Sequence, residues 1–395
     1  MISQRQLFLK HVGQTSKEPM SLEIEKAEGI YLFDVNGKKY YDMVSGVSVS
    51  NIGHRNPEVI KAIKDQLDKY MHLMVYGEYI QSPQVKLAKL LSDNLPKSLD
   101  TVFFVNSGSE AVEGALKLAK RYTNRAEIIS FKKGYHGSTQ GALSVLGSET
   151  LKNSYRPLLP DIKLLEYNNI ENLKEITERT ACVITETIQS EAGIILPEND
   201  FLKKLRERCH ETGTLLIFDE VQMGFGRTGK LFSFENFDVI PDIFTIAKAM
   251  GGGMPIGAFV SSNEIMSTLT FKPALGHITT FGGHPVCCAA ALANLNFILK
   301  NNIIDDVNDK GKLFVKLLSN HPKVKGIRRK GLMLAIKLEN HYLLEKYINI
   351  SLDNGLIHDM FLFNDDSFRI APPLTITFDE IKEVSKIIIS CLDKI

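Results

Sequence analysis

The chain has 395 residues, 44% of them hydrophobic and 24% charged, with a formal net charge of +1. That length suits two domains better than one small core, and the near-neutral balance excludes the electrostatic footprint of a nucleic-acid or anionic-membrane binder. Five cysteines, at 182, 209, 287, 288 and 391, form no C-x-x-C pair and have no histidine at zinc-finger spacing. Neither a disulfide framework nor a metal site is indicated, and a reducing, cytoplasmic setting is expected. The opening MISQRQLFLKHVGQ lacks the apolar region of a signal peptide, and no run of eighteen apolar residues occurs, so no membrane segment is expected.

In chain order, FDVNGKKYYD places Asn-Gly between two strand-like runs, a hairpin signal. Pro57 opens a helix with Val59, Ile60, Ile63, Leu67, Tyr70 and Met71 on one face. Six strand-like runs follow: TVFFV (101–105), EIISF (127–131), ACVITETI (181–188), TLLIFD (214–219), DIFTIA (242–247) and GAFVSS (257–262). Several are apolar on both faces, as strands covered by helices on each side must be. From a small-residue helix at 286–299 the pattern changes to helix, strand GLMLAIKLE, helix, strands near FLFN and SFRIA, and a last helix at 378–393. The mixture predicts a separate α+β unit.

Several stretches could carry chemistry. GFGRTGKL (224–231) matches G-x-x-x-x-G-K, which invites a P-loop reading and an ATPase. Leu231, however, stands where a P-loop needs a hydroxyl for Mg²⁺, and FSFENFDV beyond it does not read as a long helix. Asp219 and Lys248 each end an apolar run, and in a doubly wound sheet the carboxyl ends of strands share a ligand crevice. Pyridoxal phosphate needs both groups: an amine to hold its aldehyde, and an acid to keep its ring nitrogen protonated. Either residue alone is better explained as part of a surface ion pair at a strand end. Ser107, Gly108 and Ser109 follow a strand and open a strong helix, a ready anion site; Ser107 and Glu110 also fit a capping box that needs no ligand. GYHG (134–137) puts an aromatic at a strand end, where it can stack on a flat ligand or simply pack. TTFGGHP (279–285) reads first as a turn.

Together, and in this order, these segments resemble the class III, fold-type I, pyridoxal-phosphate-dependent aminotransferases, in particular the acetylornithine, ornithine and 4-aminobutyrate group. The matching stretches run from GKKYYDMVSGVSVSNIGHRNP through SGSEAVEGALKLA, YHG, ETIQSEAG, LLIFDEVQMGFGRTGKLFSFE and IAKAMGGGMPIGAF to TTFGGHP and FRIAPPLTIT. The resemblance implies an α/β fold: a large domain with a mostly parallel seven-stranded sheet (51–285), and a smaller α+β domain from both chain ends (1–50 and 286–395). It implies pyridoxal 5′-phosphate as cofactor, with Lys248 as its Schiff-base lysine, Asp219 on the pyridine nitrogen and Gln222 on the ring hydroxyl. Ser107, Gly108 and Ser109 would hold the phosphate and Tyr135 would stack on the ring, with His136 and Glu186 in the same cofactor site. Thr280 would reach the phosphate of a neighbouring subunit, making a homodimer with shared sites. Arg369 would take a substrate carboxylate, and Glu191 would pair with it and swing aside for the oxo acid.

The reaction implied moves an amino group from an ω-amino acid or related amine to a 2-oxo acid, in two half-reactions. An aminomutase or racemase of the same fold is the alternative. The chain departs from the family where F-H-G-R is usual: it reads Tyr135, His136, Gly137, Ser138. The missing arginine normally grips a second carboxylate, which weakens the expectation that 2-oxoglutarate is the acceptor. Thr187 replaces a proline after Glu186, and His284 stands where the family often has asparagine.

Overall fold

The computed structural model describes residues 3–395. At its centre is a seven-stranded sheet in the spatial order Thr101–Val105, Gly257–Ser261, Ile243–Ile246, Leu215–Asp219, Thr180–Glu186, Glu127–Phe131, Ile162–Leu165. Gly257–Ser261 runs antiparallel to both neighbours, and every other pair is parallel. The six apolar runs all form strands of this sheet, two with the bounds read from the sequence and four with ends shifted by a residue or two. The seventh, Ile162–Leu165, has no such run to announce it: it is a short edge strand and carries Lys163, as edges tolerate.

The inner strands Thr180–Glu186, Leu215–Asp219 and Ile243–Ile246 are buried at every position, because helices cover both faces. On one face the helix Gly108–Thr123 packs Ala111, Val112, Ala115 and Leu118 with Ile184, Ile217 and Phe259. Its small residues let it lie close, and a Cβ on Gly114 would come within 2.2 Å of Phe259. On the other face the helices Phe201–Thr212 and Pro285–Lys300 bring Phe201, Leu205, Cys288 and Ala291 into the cluster of Val183, Phe218 and Phe244. The small-residue helix thus packs with the large sheet. Each fully buried Val, Leu, Ile or Phe contributes roughly 1.5–3 kcal/mol.

The remaining strands come from both chain ends. Tyr31–Asp34 and Lys39–Asp42 form the hairpin expected at Asn36-Gly37, with Gly37 at φ +80°, and Leu356–Ile357 pairs in parallel with Tyr41 and Asp42. A second sheet joins Gly326–Lys330, Met333–Lys337, Asn364–Ile370 and Met360–Phe361. Ile30, Tyr41 and Met43 share one core with Phe314, Leu334, Phe368 and Ile388.

One local reading is corrected and one rejection stands. The helix from Pro57 stops at Leu67, so Tyr70 and Met71 lie beyond it, and Met71 is exposed. The P-loop look-alike at 224–231 is a set of turns with no long helix after it. Gly226 N donates to Leu231 O (3.2 Å) and Gly229 N to Gly226 O (3.0 Å), so these amides are not free for a phosphate. The buried Arg227 donates instead to Leu332 O (3.0 Å), Pro372 O (2.6 Å) and Asn51 Oδ1 (2.6 Å), tying this loop to segments from both chain ends. Among the described residues no helix is long and apolar enough to cross a membrane.

Candidate active site

The parallel strands deliver their side chains to one crevice. Glu186 and Asp219 are register partners at the carboxyl ends of adjacent strands, and Lys248 lies just past the next strand, Ile243–Ile246. A cleft of about 410 Å³ opens there. Its wall includes Tyr135, His136, Glu186, Asp219, Gln222 and Lys248, together with Ser107, Gly108 and Ser109.

The amides of Gly108 and Ser109 open a sixteen-residue helix, where no carbonyl lies one turn back to accept them. Ser107 Oγ accepts from Glu110 N at 3.2 Å, as an N-cap should. The reciprocal half of the expected capping box falls elsewhere: Glu110 Oε2 accepts from Asn106 N and Asn106 Nδ2, at 2.8 and 2.9 Å. Space at this end is kept by glycine, since a Cβ on Gly108 would meet Val221 at 2.8 Å and one on Gly137 would meet Ser109 Oγ at 2.2 Å.

Asp219 is buried, with Oδ2 2.8 Å from His136 Nδ1 and Oδ1 accepting from Val221 N at 3.0 Å. His136 Nε2 and Gln222 Nε2 are buried without a hydrogen-bond partner, polar atoms of the kind a bound ligand satisfies. Glu186 accepts from Tyr135 N (3.0 Å) and Ser190 N (2.8 Å). Burial nevertheless pushes its carboxyl up to about 7, against the pull of His136 and with the push of Asp219.

Lys248 makes no hydrogen bond or ion pair among the described residues, and it keeps partial exposure through the cleft. Burial lowers its pKa, with Glu191 opposing that shift and Arg369 adding to it. Its backbone sits at φ +48°, a left-handed conformation that costs a non-glycine residue roughly 1–3 kcal/mol and recurs at functional sites.

The remaining candidates lie off this wall. Arg369 is buried, not the solvent-facing strand-edge arginine its position would also allow: Nη2 donates to Glu191 Oε1 (2.8 Å) and Oε2 (2.9 Å). Ser138 is exposed, with Oγ 3.3 Å from the Tyr135 hydroxyl. Thr280 is exposed and touches no part of the cleft in its own chain, whereas Thr279 Oγ1 accepts from Asn106 Nδ2 at 3.1 Å. Val49, Asn106 and the Met254–Ile256 stretch also line the cleft, and no local motif singles them out. Asp359, 3.5 Å from Arg369 Nε, likewise has no signature in IHDMF.

The donor set fits pyridoxal phosphate. An amine with lowered pKa, a carboxylate backed by a histidine, an unpartnered amide N–H and a helix N-terminus converge on one cleft.

Comparison with known proteins agrees. Residues 12–392 match the family model for class-III aminotransferases. The chain is 38% identical to an acetylornithine aminotransferase of Methanopyrus kandleri, over 94% of each chain. It is 40% identical to a [LysW]-aminoadipate semialdehyde/glutamate semialdehyde transaminase of Sulfurisphaera tokodaii, over 80% of this chain and 82% of that one. Among solved structures, an ornithine aminotransferase from Toxoplasma gondii with partial occupancy of PLP at its active site superposes with a TM-score of 0.90. It is 28% identical, over 98% of this chain and 92% of that one. The chain therefore belongs to the class III aminotransferases, enzymes that carry pyridoxal 5′-phosphate and move an amino group to a 2-oxo acid.

Proposed function

We propose that the amino donor is an ω-amino acid of the acetylornithine, ornithine or 4-aminobutyrate kind, and that Lys248 is the residue that holds the cofactor. The observation that carries this reading is the convergence of an unpaired Lys248 amine, Asp219 and the unpartnered Gln222 Nε2 on one cleft. In this reading Lys248 Nζ holds the aldehyde, Asp219 the pyridine nitrogen and Gln222 the ring hydroxyl. Ser107, Gly108 and Ser109 hold the phosphate and Tyr135 covers the ring. His136 steadies Asp219 from behind, and Glu186 lies beside that carboxylate.

Bound there, pyridoxal phosphate supplies an electron sink for the carbon that loses its proton. The chain's own residues do the rest. Lys248 Nζ, made a usable base by burial, takes the proton from the amine-bearing carbon of the substrate and returns it as an acid. Asp219, buried and paired with His136, favours a protonated ring nitrogen. Arg369 binds the carboxylate of the oxo acid when Glu191 withdraws, and stays closed by Glu191 when an ω-amine enters. The relatives' names, acetylornithine among them, support such a donor. On the acceptor side Ser138 stands where the family usually has arginine, which supports a weakened preference for 2-oxoglutarate.

The working unit in this proposal is a homodimer, with Thr280 serving the neighbouring subunit's phosphate. Phe271, Leu275 and Phe281, near Thr280 in sequence, are exposed; a second copy would cover such side chains. Five free, buried cysteines suit a cytoplasmic setting. The large domain in this proposal extends through Pro285–Lys300, a reading supported by Cys288, Ala291 and Leu295 packing in the same cluster as the large sheet. The test of function is a panel of amino donors assayed with and without pyruvate or 2-oxoglutarate. Product should require the oxo acid; product formed at full rate without one would instead indicate an aminomutase or racemase.

A further inference from the structure

Arg369 is 1% exposed and carries five N–H donors, yet both of its hydrogen bonds to Glu191 come from Nη2. Nε and Nη1 have no hydrogen-bond partner among the described residues. On the Nε side stands a second carboxylate: Asp359 Oδ1 lies 3.5 Å away and is also buried and unpartnered. The Asp359 side chain is 31% exposed overall, so one oxygen faces water while the other faces the guanidinium. Backbone fixes the pair, because Arg369 N donates to Asp359 O at 3.0 Å. The Phe361 ring, 4.6 Å from Cζ, backs the guanidinium plane.

We propose that Asp359 is a positioning residue for this clamp, holding Arg369 by its Nε edge so that the guanidinium keeps its place and an anion when a substrate carboxylate displaces Glu191. The proposal rests on the reading of Arg369 and Glu191 given above. A buried guanidinium left without an anion is strongly destabilising. With Asp359 on Nε, the withdrawal of Glu191 frees Nη1 and Nη2 together, the fork that a carboxylate binds in bidentate fashion. The surroundings couple the two acids. Burial pushes the Asp359 carboxyl up to about 6, Arg369 pulls it down, and Glu191 and Asp42 push it up. His358, the neighbouring residue, is buried with its own pKa lowered to about 4 and adds no positive charge near neutrality.

The test uses the full-length holoenzyme with Asp359→Asn, Asp359→Glu and Glu191→Gln, and measures the two half-reactions separately by single turnover from pH 5.5 to 9. Asp359→Asn should raise the half-saturating oxo-acid concentration roughly tenfold more than that of the ω-amine, as expected for loss of a charged partner. Asp359→Glu should recover most of that difference. In the wild type, oxo-acid half-saturation should rise as pH falls through about 6, and Asp359→Asn should lose that dependence. A melt of each variant separates misfolding from function, since misfolding shifts both half-reactions equally. Equal shifts in both half-reactions for a folded Asp359→Asn, or an unchanged pH profile, overturns the role of Asp359. If Glu191→Gln leaves the balance between half-reactions untouched, the clamp reading fails and this proposal with it.

Discussion

Replacing Ser138 by arginine should convert the acceptor preference. Ser138 is exposed beside the cleft, its N donating to Ser109 Oγ at 3.3 Å and its Oγ 3.3 Å from the Tyr135 hydroxyl, so a longer side chain there displaces no buried group. A hydrogen bond to a charged partner contributes roughly 1.5–3 kcal/mol. Solvent screening at an exposed position trims this to about 1–1.5 kcal/mol, which is roughly tenfold in binding. The assay is kcat/KM for 2-oxoglutarate and pyruvate with one donor. Pyruvate has no second carboxylate and serves as the internal control. The ratio of 2-oxoglutarate to pyruvate should rise about tenfold in Ser138→Arg. An unchanged ratio, or a wild type that already saturates strongly and selectively with 2-oxoglutarate, would mean that another cation grips the second carboxylate.

Other consequences follow from the fold around the site. Arg227→Met should lower stability by roughly 3–5 kcal/mol in urea unfolding, since two carbonyls and the Asn51 side chain lose their donor in a buried setting; an unaltered midpoint would show that the loop is not a tie. Glu220 is buried and its carboxyl is pushed up to about 8 by burial, although Ser233 N and Phe234 N donate to it at 2.8 and 2.9 Å. A folded-state pKa above the unfolded one contributes stability that is full below about pH 4.5 and lost as pH rises through about 8, because the folded form holds the extra proton. Glu220→Gln should therefore flatten the fall of unfolding free energy across that window, and parallel wild-type and variant curves would count against it. Gly114→Ala puts a Cβ within 2.2 Å of Phe259 and should lower stability by about 1–3 kcal/mol, read as a lowered Tm.

Much of the large sheet was legible because its strands are covered on both faces and so read as unbroken apolar runs. Ile162–Leu165 was not, because an edge strand needs apolar character on fewer sides and Lys163 breaks the pattern. The helix from Pro57 was read too long: its periodicity carries on through Tyr70 and Met71, but the chain leaves the helix at Leu67, where apolar spacing alone gives no stop signal. At the site, Asp219 and Lys248 stood out because they end apolar runs, and Gln222 because its stretch resembles a known family. The P-loop look-alike shows the opposite case. Gly224, Gly229 and Lys230 match a motif in spacing, yet the hydrogen bonds of Gly226, Arg227 and Gly229 show a structural tie. Asp359 was illegible in principle, since its meaning comes from a 3.5 Å approach to Arg369 across a hairpin that no linear motif records.

The most direct test of the account is borohydride reduction of the purified holoenzyme followed by peptide mass mapping. The account requires the reduced cofactor to be found on the peptide carrying Lys248, and Lys248→Ala to show no labelled lysine. Label on a different lysine, Lys230 of the glycine-rich loop for example, or persistence of covalent label in Lys248→Ala, would contradict it.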